Sequence, residues 1–327
     1  MVPVFADVEA AAARIAPYAV RTPLVESAVL NALTGGRVFL KLEILQRTGS
    51  FKFRGACNRL AMIPLNERSK GVVAFSSGNH AQGVAAAAQL FGMPAVIVMP
   101  SDAPRSKIEG TRALGAQIVE YDRVQDDREA IAARIREERG AALVRPYDDA
   151  AIIAGQGTAG LEIAEDAARF GVTLDDVLSP CSGGGLVSGV ALALKGAGSA
   201  ARVHSVEPER FDGMKRSLEA GARAQAPGGP LSIADALMAP IPGVIVFELA
   251  KDLLAPGFAV SDEDLERAVS FAAQKLKLLV EPGGTAALAA LLAGRIDARG
   301  KTIALILSGG NADFATVAAA VARLPAP

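Results

Sequence analysis

Tryptophan is missing from this 327-residue chain, and the other aromatics are only 12 Phe and 3 Tyr. A core must therefore be built mostly from Ala, Val, Leu and Ile. Cysteine is scarce as well. Cys57 and Cys181 stand in no metal-ligand or redox spacing, which excludes a disulfide scaffold and suits a reducing cytosol. Neither sign of charge is in excess: the formal net charge is −1, with no basic cluster. Nucleic-acid binding needs a basic surface, which argues against it as the main task. Positive charges do not gather beside an apolar anchor, which argues against a membrane surface. No apolar run is long enough to span a bilayer, and the N-terminus lacks the basic-then-apolar pattern of a signal peptide. The expectation is a soluble cytoplasmic enzyme with a small-molecule partner, and no nucleic-acid or membrane partner.

What is present is a hydrophobic half, 51% of residues against 21% charged, ample for a large core in one or two domains. Residues 6–16 are spaced like an amphipathic helix, and 37–43 alternate like a strand. A helix is predicted from Lys52 to about Ile63. Strands at 72–75, 95–99, 117–121 and 142–144 then alternate with helices at 81–91, 104–114 and 126–139. After residue 150 the rhythm resumes with a helix at 158–169, strand 176–180, helix 186–196 and strand 202–206. The Pro/Gly-rich stretch 222–232 reads as a loop. Helices at 262–276 and 284–293, a strand at 302–307 and a helix at 312–323 complete the chain. This alternation predicts an α/β fold with parallel sheets buried on both faces.

Some stretches carry chemistry. Lys52 stands between Phe51 and Phe53. A lysine is ordinarily a solvated charge, but an aromatic collar would desolvate its amine, lower its pKa and make it a nucleophile or base. Gly183-Gly184-Gly185 follows a strand ending near Pro180 and opens a helix, flanked by Ser182 and Leu186. Backbone N–H groups there can turn toward one anion, and the helix N-terminus adds partial positive charge, so a phosphate is the natural ligand. No Gly-Lys-Ser/Thr follows, which disfavours ATP hydrolysis. Ser76-Ser77-Gly78-Asn79-His80 also stands between strand and helix, as an anion site or as a plain N-cap. Ser308 ends the apolar strand 302–307, at the crevice where α/β sheets bind ligands. Glu281-Pro282 opens a helical turn. Gly155-Gln156-Gly157-Thr158-Ala159-Gly160 matches the dinucleotide fingerprint, with a short strand candidate at Ala150–Ala154 and Asp175 and Asp176 in range. Its mid-chain position disfavours nicotinamide binding.

Ser50-Phe51-Lys52-Phe53-Arg54-Gly55-Ala56 resembles the Schiff-base lysine motif of the pyridoxal-phosphate (PLP) β-elimination enzymes of fold type II. The resemblance continues, in family order, through Ser76–Gln82, Ser182–Leu186, Glu281-Pro282 and Ser308–Asn311. The family includes threonine and serine dehydratases (ammonia-lyases), serine racemases and hydroxyaspartate dehydratases. It implies a tryptophan synthase β-like fold of two open α/β domains with the cofactor in the cleft between them. The smaller domain would span 71–145, and the larger, PLP-binding one 1–70 and 146–327.

By the same resemblance, Lys52 would hold PLP and serve as base for the substrate Cα proton. Ser77 would face it across the cofactor, as a second acid/base in a racemase. Phe51, Asn79, Ser182, Gly183, Gly184, Gly185, Leu186, Glu281 and Ser308 would contact PLP, Asn79 at the 3′-oxygen and Ser308 at the pyridine nitrogen. A neutral hydroxyl there does not enforce ring protonation, which favours prompt loss of a β-leaving group. Ser76, Ser77, Gly78, Asn79 and His80 would clamp the substrate carboxylate, and the Gly155 segment would border the site as a loop. Some members bind Mg2+, Ca2+ or Mn2+ with residues corresponding to Glu207 and Asp212, although Gly213 replaces a common acidic residue here. The implied reaction converts L-threonine to 2-oxobutanoate, or L-serine to pyruvate, with release of ammonia. Its alternatives are a serine or aspartate racemase, and a hydroxyaspartate dehydratase with Arg128 holding the second carboxylate. A nicotinamide-dependent oxidoreductase rests on the Gly155 fingerprint alone. A homo-oligomer, dimer or tetramer, is expected.

Overall fold

The computed structural model describes residues 1–76, 78–103 and 105–324. Within them the strands are β1 (Leu24–Glu26), β2 (Arg37–Leu42), β3 (Val72–Phe75), β4 (Ala95–Pro100), β5 (Gln117–Tyr121), β6 (Ala142–Leu143), β7 (Asp176–Pro180), β8 (Arg202–Pro208), β9 (Leu254–Val260) and β10 (Thr302–Leu307). The α-helices are α1 (Phe5–Ile15), α2 (Ala28–Thr34), α3 (Lys52–Ala61), α4 (Asn79–Leu90), α5 (Arg105–Ala113), α6 (Arg128–Arg139), α7 (Ala150–Arg169), α8 (Gly185–Gly196), α9 (Gly213–Ala220), α10 (Val244–Leu253), α11 (Asp262–Phe271), α12 (Ala286–Leu292) and α13 (Phe314–Arg323). One sheet has the order β1-β2-β10-β7-β8-β9 and the other β5-β4-β3-β6. Every pairing is parallel except β1 with β2.

Parallel strands must be covered on both faces, and the alternation of side chains shows how. On β10, Ile303, Leu305 and Leu307 pack with α11 and α12, while Ala304 and Ile306 face α7, α8 and α10. In the smaller sheet, Val72, Ala74, Ile97 and Met99 share a core with α3 and α4. Val73, Phe75, Val96 and Val98 turn the other way, toward α6. The helix that begins at Lys52 therefore packs beside the smaller sheet although it precedes that sheet in the chain.

The dinucleotide fingerprint is overturned. Ala150–Ala154 is no strand and Gly155–Gly160 no loop, because both lie inside α7. Asp149 caps that helix, accepting from the amides of Ala151 and Ile152 at 2.8 and 3.1 Å. The glycines serve close helix packing. A Cβ on Gly155 would stand 2.7 Å from Gly55 Cα in α3, and one on Gly157 would stand 2.8 Å from Gly189 O in α8. β9 was not predicted because Pro256-Gly257 reads as a turn; an edge strand tolerates the missing donor. The helix predicted over 262–276 ends as α11 and continues as a π-helical turn, Ala272–Leu276.

Candidate active site

β7 and β10 are adjacent and parallel, so the loops leaving their C-terminal ends emerge side by side. The end of β3 presents Ser76 and Gly78–His80 from the other sheet. Between them lies a cleft of about 250 Å³. It is lined by Phe51, Lys52, Ser76, Gly78, Asn79, His80, Arg128, Ser182, Gly183, Gly184, Gly185, Leu186, Glu281 and Ser308. These are all the residues predicted for cofactor and substrate except Ser77, which lies outside the described residues.

Lys52 opens α3. Its Nζ donates to Pro146 O at 2.8 Å and sits 5.1 Å from the centre of the Phe51 ring. Burial disfavours the ammonium and lowers its pKa to about 8. Phe53 takes no part in this collar. It is fully buried in the core beside the smaller sheet, with the Arg47 guanidinium 5.5 Å above its ring. Phe51 and Phe53 are two positions apart, about 200° around a helix, so their rings point to opposite sides.

Two positions beyond Lys52, Arg54 is buried in an ion network. It donates to both oxygens of Glu43 at 2.8 Å and to those of Glu162 at 2.7 and 2.8 Å. Lys41 Nζ joins the network, donating to Glu162 at 2.6 Å. Two cations and two carboxylates balance, and they tie the first turn of α3 to β2 and α7.

The glycine loop is shaped by what surrounds it. Gly184 has φ +94°, and a Cβ there would stand 2.5 Å from Val246 and 2.6 Å from Met214. On Gly183 it would stand 2.4 Å from the Tyr147 ring. Ser182 Oγ accepts from the Ala239 amide at 3.1 Å, fixing the start of the loop. The first amides of α8 have no partner within the helix and so can meet an anion. Gly183→Ala is expected to push Tyr147 into the cradle and weaken PLP binding by about tenfold or more, the scale of an overpacked site. Equilibrium titration of the apoprotein with PLP would check this, and unchanged affinity would contradict it.

His80 is buried, with Nε2 3.1 Å from Val144 O and Nδ1 without a partner among the described residues. Burial, then the charge of Lys52, lowers its pKa to about 3, so it is neutral. Glu281 accepts from Asn79 Nδ2 at 2.5 Å. Burial raises its pKa to about 7, with Lys107 opposing and Asp235 adding to the shift. Ser308 is 4% exposed and its hydroxyl has no protein partner among the described residues. The Arg128 guanidinium lies 5.4 Å over the Phe75 ring and has no carboxylate partner among them.

The sequence did not reveal Tyr147, Lys107 or Asp235. Pro146 and Tyr147 follow β6, so the strand-end rule that located Ser308 could have found them. Lys107 of α5 and Asp235, far apart in the chain, form a 2.5 Å ion pair across the cleft, and nothing in either local sequence signals it. Lys107 is 15% exposed and Asp235 46%, so the pair is worth at most ~1 kcal/mol. Asp235→Asn is therefore expected to leave thermal stability nearly unchanged while raising substrate KM by up to about fivefold. Steady-state kinetics beside a melting curve checks this; a large loss of melting temperature with unchanged KM would contradict it.

Glu207 and Asp212 lie outside the cleft. Glu207 is buried and accepts the Met214 and Lys215 amides at 2.8 Å each, while Asp212 accepts from Arg216 Nε at 2.7 Å. Burial raises the Glu207 pKa to about 8. Among the described residues no group of three or more His, Cys, Asp or Glu is gathered for a metal ion. The two carboxylates are engaged as a cap for α9 and as the partner of Arg216. Both carboxylates are thus held by protein partners.

The residues of the cleft do fit PLP: a half-buried amine, a glycine cradle whose surroundings leave no room for a Cβ, and a hydroxyl at a strand end. Comparison with known proteins agrees. Residues 15–309 match the family described as "Pyridoxal-phosphate dependent enzyme". The chain is 45% identical over 293 residues to the L-threonine ammonia-lyase of Thermotoga maritima, covering 90% of this chain and 72% of that protein. It is 43% identical to the L-threo-3-hydroxyaspartate ammonia-lyase of a Pseudomonas species, covering 94% and 95%. The structure of maize serine racemase superposes with a TM-score of 0.92 at 37% identity, covering 99% of this chain and 98% of that one.

Proposed function

The chain belongs to the pyridoxal-phosphate dependent enzyme family, and we propose that it is an ammonia-lyase that eliminates water from L-threonine or L-serine. The observation that carries this is the half-buried Lys52 amine, in one cleft with the glycine cradle and the Ser308 hydroxyl. Bound PLP supplies an electron sink for charge developing at the substrate Cα. The chain's own residues do the rest. The amides of Gly183–Gly185 would hold its phosphate, and Ser308 would offer a neutral hydroxyl to its pyridine nitrogen. Ser76, Gly78 and Asn79, at the start of α4, bind the substrate carboxylate. Lys52, neutral above about pH 8, takes the Cα proton. The β-hydroxyl leaves as water by taking up the proton that Lys52 has gained, and the released enamine tautomerises and hydrolyses to 2-oxo acid and ammonia.

Arg128 favours a second reading. A cation that faces the cleft without a carboxylate partner among the described residues suits a substrate with a second carboxylate, L-threo-3-hydroxyaspartate. The same overall reading takes residues 71–145, which supply the whole four-stranded sheet, as the smaller domain. The protein is read as a soluble cytoplasmic homo-oligomer; among the described residues no helix is long and apolar enough to cross a membrane. The test is 2-oxo acid release from L-threonine, L-serine and L-threo-3-hydroxyaspartate, side by side with PLP. Release from threonine and serine is expected, and release from hydroxyaspartate alone would select the second reading. No release, with D-amino acid formed instead, would overturn both in favour of a racemase.

A further inference from the structure

Asn311, just past β10, is not among the residues expected to touch cofactor or substrate. Its Nδ2 donates to the carbonyl of Thr48 at 2.7 Å and to Asn79 Oδ1 at 2.8 Å, with Gln82 Oε1 at 3.4 Å. Asn79 Nδ2 in turn donates to Glu281 Oε1. The two amide orientations follow from chemistry. A backbone carbonyl only accepts, so the atom of Asn311 that faces Thr48 O must be its nitrogen. The same nitrogen faces Asn79, which must answer with its oxygen. The Asn79 NH2 group is then directed to Glu281 and the cleft, with one hydrogen left for an acceptor there.

The start of this chain of bonds is itself fixed. Thr48 is held in the left-handed region at φ 63°, and the Gly49 amide bonds back to Gln46 O at 2.8 Å. A Cβ on Gly49 would stand 2.4 Å from Asn311 Oδ1, so the amide is packed against the turn. The polarity of one carbonyl in the turn before Lys52 is thus carried to the opposite wall of the cleft.

We propose that Asn311 is a positioning residue: it sets the amide orientation of Asn79 and so presents a hydrogen-bond donor, not an acceptor, to the bound cofactor. This rests on the reading that Asn79 meets PLP. Asn311→Asp places an acceptor against both Thr48 O and Asn79 Oδ1, and Asn79 relieves the clash by turning its NH2 away from the cleft. Asn79→Ala removes the donor outright. The measurement is the pH titration of the visible cofactor absorbance of the holoenzyme. Both variants are expected to move its midpoint in the same direction by about half a pH unit or more. They should lower kcat about tenfold with KM within about threefold. Asn311→Ser keeps a donor and should lie closer to wild type.

A merely structural role would lower the melting temperature and leave the midpoint in place. A shift in Asn79→Ala without one in Asn311→Asp overturns the proposal while the reading of Asn79 stands. No shift in either overturns that reading, and the proposal with it. Should Asn311→Asp not fold, Asn311→Ala, which removes the donor to Asn79 Oδ1, decides in a double variant with Asn79→Ala. Midpoint shifts that fail to add support the coupling, and shifts that add contradict it.

Discussion

Replacement of Lys52 by alanine is expected to abolish the visible absorbance of bound PLP and to lower turnover by about 10³-fold or more, the scale of a lost general base. Urea unfolding should be little changed, because the amine faces a cleft and, among the described residues, its one hydrogen bond is to Pro146 O. The pH dependence follows from the same side chain. Burial lowers the Lys52 pKa from its ordinary 10.5 to about 8, so the ammonium dominates below pH 8 and the free amine above it. Only the free amine can add to a carbonyl group. The rate at which apoprotein captures PLP should therefore rise through about pH 8 and level off above it. A rate still rising steeply toward pH 10 would mean that the amine is not desolvated.

Arg54→Met is expected to cost about 3–5 kcal/mol of stability, because it removes one member of a buried ion network and strands the rest. Glu43, fully buried, would lose both bonds from the guanidinium, and Glu162 would keep only Lys41. The folded state gains when a second variant removes the stranded charge, so Arg54→Met with Glu43→Gln should recover part of the loss. Urea denaturation would show the midpoint falling with little change in slope. The visible spectrum of the folded fraction should also weaken, since Arg54 ties down the turn that carries Lys52. A loss below about 1 kcal/mol would mean that solvent reaches the network.

Much of this was legible in the sequence because it is local. Strand β10 is an unbroken apolar run, and Lys52 and the glycine loop carry their chemistry in consecutive residues. What was hidden depends on tertiary partners. The glycines of α7 obey a phosphate-loop spacing, yet Asp149 starts a helix eight positions before the one predicted at 158. The same residues that free a loop also let α3 and α8 approach. Asp235 and Lys107 look like surface charges until the two sheets are placed beside each other. Arg54 reads as one more helical arginine, and its burial is set by Glu43 and Glu162, which the sequence gives no reason to join. Asn311 was visible in its motif, but its effect on Asn79 is a matter of which amide atom faces which.

Whether this cleft holds PLP on Lys52 is decided by reducing the PLP-loaded protein with borohydride and mapping its peptides by mass. The pyridoxyl phosphate mass is expected on the peptide that contains Lys52, and on no other lysine. Label on Lys107 or elsewhere, or no label on protein that binds PLP, would contradict it.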